Sequence, residues 1–398
     1  MLRYMIYSNT LRDMSVPPRF RTRVWMLMLL SLLSLPMFAQ EATTNISGFP
    51  VIAYSNETSL MGGGFIVWNK EFLQEQRKAS NTLIGNVLLT AKSQYLAFIL
   101  PQFTRDDGDL QYGADLIARR WSDNFWGIGN NTLEQDKEAF GWEEYRLGLS
   151  GKYLIWKNLY PGIELDFRFG DLFKETAGGA LASGTILGSK PAFYLGRGAS
   201  LSWDNTNAKY YPHKGIKYEL RFTDYATLNN QDDDLGELKE YLHSDFSKLS
   251  LNLNHYINPV SGIVLAAQTS AIIADGQVPF NFLPELGSSL RAYDSKRYID
   301  KTMLAQRLEP RIIPSELPFL QERGILQSKF WRRTGLVFFT EFGQIAPDIS
   351  QAKWERNHWS NGWGLRYTIL PQDKLNLRMD FGWGQDTFNF IFQAREVF

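Results

Sequence analysis

Three charged clusters carry the residue types and spacing that could do specific chemistry. Leu290-Arg291-Ala292-Tyr293 lies in a long stretch, 274–300, that also holds Val278-Pro279-Phe280 and Gly287. Arg307-Leu308-Glu309-Pro310-Arg311 and Phe339-Thr340-Glu341-Phe342-Gly343 lie on segments with strand-like alternation. Arginines facing glutamates are equipped for charge-assisted, two-pronged hydrogen bonding rather than for breaking bonds.

The residues needed for catalysis are not assembled in this sequence. There is no Gly-x-Ser-x-Gly, His-Glu-x-x-His or Walker-type signature. Gly196-Arg197-Gly198 falls inside a strand pattern, which argues against a phosphate loop. The four histidines (His213, His243, His255, His358) are dispersed and lack metal-ligand spacing. With no cysteine, thiolate metal sites, disulfides and cysteine nucleophiles are all excluded. The expectation is a protein without enzymatic activity, cofactor or metal. The one enzymatic alternative left open is a barrel phospholipase with a Ser–His pair near its outer rim.

The elements that must position these clusters repeat at period two. Ile163, Leu165, Phe167 and Phe169 alternate with Glu164, Asp166, Arg168 and Gly170. Ile216, Tyr218, Leu220 and Phe222 alternate with Lys217, Glu219, Arg221 and Thr223. Leu375, Leu377, Met379, Phe381 and Trp383 alternate with Asn376, Arg378, Asp380, Gly382 and Gly384. A soluble sandwich alternates too. Here, though, the apolar parity is aromatic-rich, the strands run to about ten residues, and long and short connections take turns. Sixteen strands are expected, from 49–55 to 387–398, in an all-β, transmembrane, antiparallel β-barrel. Connections after strands 6, 10 and 14 are tight, and those after 5, 7, 9 and 11 are long. The stretch Pro314 to Arg332 after strand 12 breaks that rule.

Bulk properties agree. The 398 residues carry zero formal net charge, which argues against a nucleic-acid partner. Mean hydropathy is −0.27, which a membrane protein can have only when apolar residues meet lipid from alternating positions. The apolar stretch 24–35 follows Arg19, Arg21 and Arg23 and precedes Pro36 and Phe38-Ala39-Gln40. It is too short to span a bilayer and fits a signal-peptide core, with Met14 an alternative start. The expected organisation is a signal peptide over 1–39, a short periplasmic segment over 40–48 and a barrel over 49–398. The chain ends Phe390-Ile391-Phe392-Gln393-Ala394-Arg395-Glu396-Val397-Phe398. Phe390, Phe392 and Phe398 therefore read as an assembly signal on a last strand that ends in the aromatic girdle.

In order along the chain, these motifs resemble the bacterial surface-antigen family of outer-membrane barrels, which includes BamA, TamA and the two-partner secretion transporters. Leu290-Arg291-Ala292-Tyr293 resembles the family's Val-Arg-Gly-Phe/Tyr loop signature, departing at Leu290 and Ala292. Phe339 to Gly343 resembles its Phe-x-Asp-x-Gly strand, with Glu341 in place of Asp, and Glu309 with Arg311 resembles its Glu-x-Arg element. Pro50-Val51-Ile52-Ala53-Tyr54-Ser55 resembles the start of the barrel domain. Trp203-Asp204-Asn205-Thr206 with Pro212 and Lys214-Gly215 resembles its middle.

The resemblance implies that Arg291 packs on the inner wall and locks the loop in the lumen. By parity Glu309 and Glu341 point inward, opposite Leu336, Phe338 and Phe342. An arginine held in a confined lumen needs such an anionic partner. Glu for Asp lengthens the acceptor, so a water-bridged contact is an open alternative. The resemblance further implies a Gram-negative-type outer-membrane, multi-pass barrel that inserts or translocates polypeptide, or lipid, at a seam between first and last strands. A short first strand containing Pro50, with Tyr54, would weaken that seam. No periplasmic POTRA domain is expected before the barrel. The expected partners are outer-membrane lipid, polypeptide clients or a separate periplasmic partner, and the barrel assembly machinery for the chain's own insertion. The alternative is a plugged pore or structural subunit.

Overall fold

The dyad pattern builds a single antiparallel sheet. A computed structural model describes residues 43–398, apart from 56–58, 75–76, 106–107, 229–244, 322–327, 329, 371–373, 395 and 397. The expected signal peptide lies outside the described residues, as does the side chain of Tyr54.

The strands are β1 (Thr43–Ser55), β2 (Ser59–Gln74), β3 (Arg77–Thr90), β4 (Tyr95–Thr104), β5 (Leu110–Phe125), β6 (Glu138–Tyr153), β7 (Leu159–Lys174) and β8 (Ala192–Asp204). They continue as β9 (Gly215–Thr227), β10 (Phe246–Val260), β11 (Ile263–Gly276), β12 (Thr302–Ile312), β13 (Thr334–Ala346), β14 (His358–Leu370), β15 (Leu375–Trp383) and β16 (Phe388–Ala394). Each pairs with its neighbours in sequence, in one sheet of sixteen strands.

The sheet curls until its two ends share one core. Val67 of β2 and Ile84 of β3 pack in the same buried cluster as Ile369 of β14 and Leu375 of β15, with Tyr210 between them. The result is a transmembrane β-barrel. No helix among the described residues is long and apolar enough to cross a membrane; the strands do it. Their apolar parity faces outward, Ile163 being 74% exposed, with Leu165, Phe167, Leu220, Phe222 and Phe338 exposed beside it. Trp156, Trp203, Tyr218 and His255 form an aromatic row at the rim where the chain enters and leaves the barrel. The Trp156 and Trp203 rings lie 5.9 Å apart, and the Tyr218 hydroxyl is 2.6 Å from His255 Nε2.

Two expectations need correcting. β1 is not short: it begins at Thr43 rather than 49 and runs for 13 residues, so 43–48 belongs to the wall and not to a free segment. Thr43–Gly48 lacks a clean alternation, but it completes the ladder against Ile66–Glu71 of β2. Pro50 sits opposite Gly64, exposed, and an edge strand tolerates the missing donor.

The last strand is the second correction. β16 stops at Ala394, and Phe398 is not in the outer girdle. Its ring stacks on inward Tyr256 with centroids 6.3 Å apart. Phe390 and Phe392 do face outward, exposed.

The start of the anomalous segment, Ile313–Leu317, folds back over the β10–β11 turn. Ile313 N–H donates to Gly262 O (2.8 Å), and Ser261 Oγ donates to Glu316 O (2.9 Å). Gly262 has φ +81°, and a Cβ there would lie 2.7 Å from Leu317 N. The segment thus seats Leu317, which is buried, against the rim.

Candidate functional site

The segment 277–301 between β11 and β12 enters the lumen from the rim opposite the termini and packs against two arcs of the wall. On the β5–β10 arc, Phe280 packs edge-on against Phe125, Phe140 and Trp142, and Phe282 against Tyr194, Tyr225 and Phe246. On the β12–β13 arc, Leu286, Leu290, Ala292 and Tyr293 pack with Met303, Ala305 and Ile345. The charges beside these apolar contacts, Arg291, Glu309, Glu341 and Asp380, are buried, which strengthens each interaction among them.

Arg291 is the centre of the charged cluster, its side chain 3% exposed. Its Nε donates to Glu341 Oε1 at 2.6 Å, and its backbone N–H donates to Glu341 Oε2, also at 2.6 Å. The contact is direct, so the extra methylene of Glu341 does not bring in a bridging water. Nη2 lies 2.8 Å from Glu309 Oε2, and Nη1 donates to Asp380 Oδ2 at 3.3 Å. The guanidinium also lies 3.6 Å from the centroid of the Phe339 ring. Burial alone would lower the Arg291 pKa, but Glu341, Glu309 and Asp380 outweigh it and hold it above the ordinary arginine value. The charge is permanent.

The wall is shaped for this loop. Register places Glu341 of β13 beside Arg307 of β12 and Ser360 of β14. Ser360 Oγ accepts the Ala292 N–H (3.1 Å), and Thr387 Oγ1 donates to Ala292 O (3.2 Å). Tyr293 donates its hydroxyl to Trp359 O (3.1 Å). Arg307 donates to the Ser289 and Ser288 carbonyls and, through Nη1, to Gln268 Oε1 at 2.7 Å. Gly343 and Gly382 make the close approach possible. A Cβ on Gly343 would meet Leu286 Cδ1 at 2.7 Å, and one on Gly382 would meet the Ala292 backbone at 3.1 Å. Ala292 itself has no positive φ, so nothing in its backbone calls for the glycine of the resembled motif.

The structure therefore brings Leu290, Arg291, Ala292, Tyr293, Glu341, Gly343, Glu309 and Arg311 into one region. Arg311 contacts Glu309 (Nε to Oε1, 2.7 Å) and lies over the Tyr211 ring rather than on the loop. Pro50, on β1, is not part of it. Sequence reasoning missed Asp380 and Arg378 of β15, Arg366 of β14, Ser360 and Gly382. Their inward parity was visible in the alternation, but the cross-strand register that sets Asp380 beside Arg291 was not.

A second segment, 205–214, rises from the termini rim. Tyr210 joins the core cluster of β2, β3, β14 and β15, and Pro212 O accepts from Arg311 Nη1 at 3.1 Å. His213 ends this segment, with Lys374 Nζ 3.0 Å from Nδ1 and Glu316 Oε2 at 3.7 Å. Burial, reinforced by Lys374 and Arg311, pushes its pKa down to about 4.

No known family model matches the chain. No curated protein matches it in sequence. Among solved structures it is similar to BamA from Haemophilus ducreyi lacking POTRA domains 1–3, with TM-score 0.52 and 13% identity over 89% of this chain and 70% of that one. It is similar also to CdiB from Acinetobacter baumannii, with TM-score 0.51 and 9% identity over 89% of this chain and 60% of that one, so it spans less than two thirds of CdiB. At those identities the likeness is one of fold: this chain is a transmembrane β-barrel similar in fold to BamA and CdiB.

Proposed function

We propose that the protein resides in a Gram-negative-type outer membrane and moves polypeptide, or lipid, into or across that membrane at the seam between β1 and β16. The observation that carries this reading is the ladder order. Among the described residues, pairing runs from β1 to β16 with no ladder joining those two, and β16 offers only 7 residues against the 13 of β1. An incompletely paired edge can template an incoming strand. The docked loop supports the same reading, because a loop fixed inside the lumen by Arg291 obstructs the axial route and favours the lateral seam. The reading assigns the chain no bond-breaking chemistry. Its partners are membrane lipid and an extended polypeptide client, with or without a separate periplasmic protein to deliver it.

The test is a reversible seam. The native chain has no cysteine, so one pair introduced in β1 and β16 gives a unique disulfide. In proteoliposomes, closing it should stop client insertion and reduction should restore it. Unchanged insertion with the seam closed would overturn the reading. A second reading, a plugged pore or structural subunit, is favoured by the packing of the lumen from both rims. It predicts no insertion in either state.

A further inference from the structure

The chain leaves the wall after β16, and what it does there links the seam to the docked loop. In β16, Phe388, Phe390 and Phe392 are exposed to the lipid side. The alternate residue Gln393 faces in, where its Oε1 accepts from Arg378 Nη2 at 2.8 Å. Continued alternation would put position 396 on the lipid face with the phenylalanines. Instead Glu396 is inside, its side chain 2% exposed. Its Oε2 accepts from Arg366 Nε at 2.8 Å and its Oε1 from Asn376 Nδ2 at 3.0 Å. Two residues further on, Phe398 O accepts from Arg311 Nη2 at 3.3 Å. A carboxylate cannot be left facing hydrocarbon when a buried guanidinium is within reach. The parity therefore breaks after Gln393.

The same arginine that holds Glu396 shares its other partners with the loop. Arg366 Nη1 donates to Asp380 Oδ1 at 2.5 Å, while Asp380 Oδ2 accepts from Arg291 and Arg378. Arg366 Nη2 is 3.8 Å from Glu309 Oε2, the atom that faces Arg291 Nη2. If Arg291 withdraws, Asp380 and Glu309 keep fewer cations, and Arg366 is drawn toward them and away from Glu396.

We propose that Glu396 is a positioning residue of the seam: paired with Arg366, it holds the end of β16 inside the lumen and off β1, and Asp380 and Glu309 make that hold depend on the docked Arg291. The inference rests on the seam reading above for its purpose, but its geometry can be tested without any client. Cysteines at Ile46 and Phe392, both exposed on the lipid side, report how often the end of β16 meets β1 through a short bis-maleimide. In proteoliposomes, Glu396→Gln should raise the cross-linked fraction relative to uncross-linked protein by about tenfold, the weight of one charge-assisted hydrogen bond. Glu396→Asp should restore much of the native value, and Asn376→Ala, which leaves every charge in place, should give a smaller rise. Arg291→Ala should raise cross-linking too, and the double variant with Glu396→Gln no further than the larger single effect. An unchanged yield in both Glu396→Gln and Asn376→Ala would overturn the positioning role. Independent, multiplying effects of Arg291→Ala and Glu396→Gln would overturn the link to the loop. Failure of client insertion with normal cross-linking behaviour would count against the proposed function and leave this inference standing.

Discussion

Glu341 holds Arg291 at two points, the side-chain Nε and the backbone N–H, each at 2.6 Å. One carboxylate thus fixes both the loop's charge and its main chain. The loop cannot tilt about this contact without giving up a bond to a fully buried acceptor.

Removing either member should therefore be severe. Arg291→Ala leaves the buried Glu341, Glu309 and Asp380 short of a cation, at about 3–5 kcal/mol for an orphaned buried charge. The variant should lose heat resistance of the folded band on gels. Arg291→Ala and Glu341→Gln together should cost clearly less than the sum of the singles, measured by denaturant unfolding in micelles.

The close approach at Gly382 makes a separate prediction. Gly382→Val puts methyl groups where the Ala292 backbone lies, at about 1–3 kcal/mol of overpacking. Protease sensitivity of 277–301 should rise while the strands stay intact. A loop as protected as in the native chain would show that it does not seat where described.

His213 gives the pH dependence. Its folded pKa of about 4 lies below the ordinary histidine value of 6.5, so between those values the unfolded state binds more protons. Stability should fall as pH drops through that window and level off below about 4. His213→Gln should flatten this part of the profile, read as denaturation midpoint against pH.

The lipid face and the lumen face of one strand should respond oppositely. Leu220 of β9 is exposed on the lipid side, while its neighbour Arg221 points inward and contacts Glu164 at 3.0 Å. Leu220→Arg should cost up to about 2–4 kcal/mol, depending on depth. Arg221→Gln should be milder, because that side chain is partly exposed. Folding yields into vesicles compare the two.

Much of this was legible in the sequence because the wall is periodic. Dyad alternation together with the connection lengths placed sixteen strands, the first and last with bounds the structure corrects, and turned Glu309 and Glu341 inward. What escaped depends on things alternation does not carry. The register of β14 against β15 decides that Gly362 opposes Gly382 and Gly364 opposes Asp380, and hence that Asp380 joins Arg291. The inward turn at Glu396 reads as more strand, since Phe388 to Gln393 alternates without a break signal. Thr43–Gly48 reads as loop, since its pairing is dictated by β2.

The most direct test of the account is the conductance of the reconstituted barrel in a planar bilayer. With Arg291 on Glu341 the loop is held inside the lumen, and the native protein should be almost silent. Arg291→Ala should show frequent openings of barrel size. Equal conductance in the two would contradict the claim that this ion pair keeps the loop in the lumen.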